Sequence, residues 1–276
     1  MHDHTHLHEA GSFSAGNLPL LAAACLLALL YLAGVWRQRS RQRHWSGWRS
    51  ACFLLGSAVV AVSLFPSLAA RAHHDLPTHM VQHLLLGMLG PLGLVLGTPV
   101  TLALRSLPAA HSRGLVRLLR ARPIRFVSHP VAALVLNIGG MGVLYLTPLY
   151  ARMSDHPMLH LLVHFHFLTA GCLFCWAILE LEPTAGRRSS APFRLAVLFV
   201  AVAAHACISK AMFAYRYPQG TGQPLVSIEQ AAKIMYYGGD AAELLLMIGL
   251  FATWPTARSP RQSPSARPAT SGRAPS

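Results

Sequence analysis

Apolar residues in this chain come in long blocks, without the short periods of soluble helices or strands. Seven blocks run approximately Leu18–Val35, Ala51–Ala70, His79–Leu104, Phe126–Leu146, Met158–Leu179, Pro192–Phe213 and Ala231–Trp254. Each approaches or exceeds the ~20 residues that carry a helix across about 30 Å of hydrocarbon. Without water to bond, a backbone at that depth satisfies itself only as a helix. The pattern predicts an all-α, polytopic membrane protein with a seven-transmembrane-helix bundle over residues 17–254. A histidine-rich arm (1–16) precedes the bundle, and a Pro-, Ser- and Arg-rich tail (255–276), expected to be disordered, follows it. No fixed-period repeat is present.

The polar segments set an orientation. Arg37, Arg39, Arg41, Arg43 and Arg49 share one loop, and Arg105, Arg113, Arg117, Arg120, Arg122 and Arg125 another. Arg187, Arg188 and Arg194, then Arg258, Arg261, Arg267 and Arg273, complete the same side, 18 of 23 basic residues if seven spans alternate. Arg71, Arg152, Arg216, Lys210 and Lys233 are left for the other. The positive-inside rule then puts the N-terminus outside and the C-terminus in the cytoplasm. The loop Arg105–Arg125 is expected to hold a short helix on the anionic lipid surface.

Composition agrees. Hydrophobic residues make up 53% of the chain and charged ones 12%, about half the charge of a soluble domain. The net charge of +14 follows the membrane sidedness, so it points to no nucleic acid. Five cysteines, an odd number within or beside apolar segments, form no disulfide framework. The first residues lack the basic start of a signal peptide.

Ionisable groups inside spans are costly and point to function. His79 and His83 stand four residues apart at the start of the third block, His160 and His164 at the start of the fifth. Both blocks enter from the outside, so the two pairs lie at one depth, on one face of each helix. His205 in the sixth block, and Asp240 and Glu243 in the seventh, fall in the outer half or the centre. His129 and His166 read as partners of neighbouring helices. Cys172, Cys175 and Cys207 read as packing residues, and Ser227-Ile-Glu229 as a capping box. Gly90-Pro91 and Gly97-Thr98-Pro99 are expected to kink the third span. Met80, Met153, Met158, Met212 and Met235 lie near the outer face, and thioether with imidazole suits Cu(I).

Three stretches carry a resemblance: HMVQHLLLGMLGPLGLVLGTPV (His79–Val100), HLLVHFHFLTAGCLFCWAILELEP (His160–Pro183) and SIEQAAKIMYYGGDAAELLLM (Ser227–Met247). Together they resemble the multi-span cytochrome c oxidase assembly factor family CtaG, over roughly residues 17–254. The third stretch departs from the family at Lys233 and Tyr236, where small residues and a tryptophan are usual. The resemblance implies a helical inner-membrane protein needed to mature a haem-copper oxidase, with copper handled on the outer side.

The residues and the resemblance give one expectation. A copper site is formed by His79, His83, His160 and His164, with His205, Asp240 and Glu243 as a deeper or orienting shell. The arm, with His2, His4, His6 and His8 on alternate residues, would gather metal. An oxidase subunit or a periplasmic copper chaperone would be the partner. Protons compete with metal for imidazole, so binding should weaken at low pH. Three alternatives stay open: a copper transporter, a b-type haem protein with His83 and His164 as axial ligands, and an intramembrane hydrolase with zinc and Asp240 or Glu243 activating water.

Overall fold

A computed structural model describes residues 17–183 and 189–254, apart from the side chains of 154 and 155. The histidine arm, Arg187, Arg188 and the tail lie outside the described residues. Among those described there are twelve helices and no strand: α1 Leu18–Ser40, α2 Gly47–Leu64, α3 Pro66–His74, α4 Leu76–Leu96, α5 Pro99–Ser106, α6 Ala109–Leu119, α7 Arg122–Val127, α8 Pro130–Leu146, α9 Leu149–Asp155, α10 Pro157–Leu179, α11 Ala191–Tyr215 and α12 Leu225–Ala252. Six of them, α1, α2, α4, α10, α11 and α12, are long and apolar enough to cross a membrane. The chain is a multi-pass membrane protein. The fourth expected span, α8, is a shorter apolar helix beginning at Pro130 rather than Phe126.

The other boundaries move for local reasons. α2 stops at Leu64 because Pro66 holds Phe65 extended, at φ −63° and ψ 136°. The third block is two helices, not one kinked one. α4 ends at Leu96, Thr98 takes a left-handed φ of 50°, and Pro99 begins α5. Gly90-Pro91 does not break α4; the turn before it, Leu85–Leu89, widens into a π turn. α8 carries a second π turn at Val135–Gly139. Pro224 caps α12, three residues before the expected capping box, so Ser227 lies inside the helix and caps nothing. The basic loop does form a helix, α6, with no buried residue.

The centre of the bundle is α4. Over half of its window, 56%, is buried, against 11% for α1, whose leucines face outward. Packing places α4 between α2, α10 and α12. Glycines set the closest approaches: a Cβ on Gly93 would lie 2.7 Å from the Gly56 Cα of α2, and one on Gly171 would strike the Gly87 carbonyl oxygen. Small residues at such crossings let backbones meet where water supplies no driving force.

Candidate functional site

The first turn of α4 is built to carry its histidines inward. Asp75 caps it, its Oδ2 accepting the Thr78 N–H at 2.9 Å, and Pro77 fits the first turn. Val81 faces outward, while Met80, Gln82 and both histidines are buried. On α10, Pro157 follows His156 as the first helical residue and starts the helix one turn before His160. The Gly87–Gly171 contact then brings the two helices close one to two turns further in.

The four imidazoles meet in one buried cluster. Ring centres lie 4.2 Å apart for His79 and His83, and 4.1 Å for His160 and His164. Across the helices, His83 and His164 are 5.6 Å apart, His79 and His160 6.3 Å, and His79 and His164 6.5 Å. None of the four is more than 6% exposed.

One nitrogen of two rings is held from outside the quartet. The Tyr145 hydroxyl of α8 stands 2.7 Å from His83 Nδ1. Asn17 Oδ1, at the N-cap of α1, accepts from His164 Nδ1 at 3.2 Å, which leaves the His164 Nε2 lone pair free for ligation. Nε2 of His79, His83 and His164 is buried with no hydrogen-bond partner. Buried polar atoms almost always have partners, and exceptions often mark a bound ion or water. A held Nδ1 with a free Nε2 is the arrangement of metal-binding histidines. Imidazole is a donor that copper, zinc and iron take, but no group of three His, Cys, Asp or Glu among the described residues is placed to hold an ion.

The expected orienting shell is arranged differently. His205 Nδ1 lies 3.2 Å from Glu243 Oε1, a buried pair joining α11 to α12. Gly239 makes room for this ring, since a Cβ there would collide with it. Asp240 is half-buried one turn before Glu243, and it is Glu243 that engages His205. The groups that do hold quartet rings, Tyr145 and Asn17, are not in the expected set. Tyr150 of α9 adds an edge contact to His79, ring centres 4.9 Å apart. Burial, with Asp75 nearby, pushes its phenol pKa up. Depth matching would have found Tyr145, at the outer end of a span running towards the layer His79 and His83 enter. Asn17 had no such signal, being a polar residue at a helix start.

The lesser expectations divide. His166 bonds the Leu136 carbonyl of α8 at 3.1 Å, as a neighbour-bonded histidine should. His129 instead caps its own helix, accepting from the Val131 N–H at 3.3 Å. Cys175 is buried and Cys172 partly so, but Cys207 lies exposed on the bundle surface and packs no core. Lys233 and Tyr236 stand apart from the quartet. Lys210 lies over the Tyr236 ring and Lys233 over Phe213, pairing α11 with α12.

Comparison with known proteins gives a consistent picture. The model of a family described as cytochrome c oxidase caa3 assembly factor (Caa3_CtaG) matches residues 29–257. Uncharacterized proteins of Mycobacterium bovis and Mycobacterium tuberculosis are each 35% identical over 192 residues, covering 67% of this chain and 29% of theirs. One from Mycobacterium leprae is 32% identical over the same coverage. The chain thus spans under a third of the length of these curated relatives. No solved structure is significantly similar to it.

Proposed function

We propose, because the chain belongs to the cytochrome c oxidase caa3 assembly factor family, that it serves maturation of a haem-copper oxidase by holding copper at the histidine quartet. The observation that carries the copper reading is the set of three buried, unpartnered Nε2 atoms on His79, His83 and His164, within a four-ring cluster. His79, His83, His160 and His164 would hold the ion. Tyr145 and Asn17 would fix ring orientation and choose which nitrogen is presented.

Copper supplies no bond-making chemistry in this role; it is cargo. The receiving partner would be an oxidase subunit or a periplasmic copper chaperone. In this reading α8, 17 residues and about 25 Å long by helical rise, is the seventh span. The basic loops face the cytoplasm of a bacterial inner membrane, so the quartet lies towards the outside. The histidine arm would concentrate metal there. His205 and Glu243 would act one step away, by fixing α12 against α11.

The test is genetic and spectroscopic. Membranes from a strain lacking the chain should lose the reduced-minus-oxidised signal of the copper oxidase, with partial recovery on added copper. A chain carrying His79→Ala and His83→Ala should behave like the deletion. Full oxidase signal from that variant would refute the proposal.

A further inference from the structure

His83 has a second setting. One turn further along α4 the described residues enclose a small cavity of about 20 Å³, bordered by His83, Asn137 and four methionines: Met80, Met88, Met141 and Met235. The chain has nine methionines in 276 residues, yet four of them are among the ten residues lining this one cavity. They come from three helices, α4, α8 and α12, so no single amphipathic stripe accounts for them.

The backbone supplies an independent sign. Both π turns of the described residues border this cavity, Met88 and Gly87 from Leu85–Leu89 and Asn137 from Val135–Gly139. A π turn inserts one residue into the helical count and re-aims the side chains around it, at a cost in backbone bonding, and such turns gather at functional sites. Here two spans carry the distortion at the same place. The cavity volume of about 20 Å³ exceeds the roughly 10–15 Å³ that one water-sized particle needs.

The donors determine what that particle is. Thioethers are neutral, soft and not protonated at physiological pH, and with imidazole they suit Cu(I) over zinc or magnesium. The lining holds no carboxylate. The cost of burying an ion rises steeply with its charge, so a site of neutral donors in apolar surroundings selects a monovalent cation. We propose that this methionine cavity is a second, soft-metal site that receives Cu(I) from the quartet through His83, which borders both. This rests on the copper reading of the quartet and extends it inward. The ion stays Cu(I) throughout: nitrogen–copper bonds are exchanged for sulfur–copper bonds, and no electron or proton need move.

The test uses the purified full chain under anaerobic conditions, titrated with Cu(I) and with Ag(I), a monovalent probe that does not change oxidation state. Two ions per chain are expected, with a metal–sulfur shell in the X-ray absorption spectrum. The triple variant Met88→Leu, Met141→Leu, Met235→Leu keeps side-chain volume and apolarity. It should lose one ion and most of the sulfur shell, Met80 alone remaining, while keeping nitrogen ligation. Each single Met→Leu change should weaken Ag(I) binding at least tenfold. Metal bound to the wild type through nitrogen alone would overturn the proposal, as would unchanged Ag(I) stoichiometry in the triple variant; the wild-type spectrum decides if that variant does not fold. Failure of the quartet reading looks different: sulfur-bound Ag(I) persists, but no nitrogen-bound copper responds to changes at His79 and His160.

Discussion

An imidazole has two nitrogens, and whatever holds one determines what the other can offer. For His83 the holder is the Tyr145 hydroxyl, 2.7 Å from Nδ1. Tyr145→Phe removes that hold while leaving all four rings in place. Orienting partners of metal-bound histidines are worth about 10–100-fold in affinity, so copper titration of the variant should show a loss in that range with unchanged stoichiometry. A second residue makes a pH prediction away from the quartet. Glu182 lies beyond the end of α10, where its Oε1 accepts the Val100 and Thr101 N–H groups at the start of α5. Burial pushes its carboxyl from 4.5 up to about 7, against the opposing pull of those two N–H groups. Between these values the folded chain holds a proton that the unfolded chain releases, so stability falls as pH rises from 4.5 to 7 and levels off above. Glu182→Gln imitates the protonated acid. Thermal melts should show the wild type losing ground to this variant across that window, by about 3 kcal/mol at most. At this scale the sequence revealed the four histidines, because repeated i,i+4 imidazoles in apolar blocks have few other readings. It did not reveal Asn17 or Tyr145, because a lone polar residue at a helix end resembles any interfacial residue.

Between elements, the separation of α4 from α10 sets the distance between the two histidine pairs, and Gly87 and Gly171 set that separation. A Cβ on Gly171 would meet the Gly87 carbonyl oxygen and lie 2.8 Å from Pro91 Cγ. Backbone cannot yield there as a side-chain tip would. Gly171→Ala should therefore destabilise the chain by about 1–3 kcal/mol and also weaken metal binding, both measurable on one purified sample. Gly114→Ala on α6 meets nothing within 4 Å and should do neither. The six long helices were legible from hydropathy alone. Their ends were not, because an apolar run continues through Phe65-Pro66 and Gly97-Thr98-Pro99 while the backbone does not. The π turns were hidden for a related reason: Leu85–Leu89 and Val135–Gly139 read as ordinary apolar helix. The structure supports Glu243, but not Asp240, as the partner of His205. Spacing along α12 could not separate two carboxylates one turn apart.

The whole molecule adds direction. If α8 crosses the membrane and the arginine-rich loops lie in the cytoplasm, residue 254 is cytoplasmic and the α3–α4 junction faces outward. A fluorescent protein fused after Trp254 should fluoresce, and alkaline phosphatase at the same point should be inactive; the reverse would invert the orientation. Direction matters because cargo handed to an oxidase from outside must be reachable from that side. The family assignment supports a role in oxidase assembly, and in the proposed reading copper at the ring cluster is the link between the two. That link is tested most directly by copper bound to the purified chain, measured beside the His79→Ala, His83→Ala double variant at neutral pH. The account predicts nitrogen-ligated copper in the wild type and its loss from the double variant, with the fold intact by circular dichroism. Equal nitrogen-ligated copper in both proteins, or none in either, would contradict it.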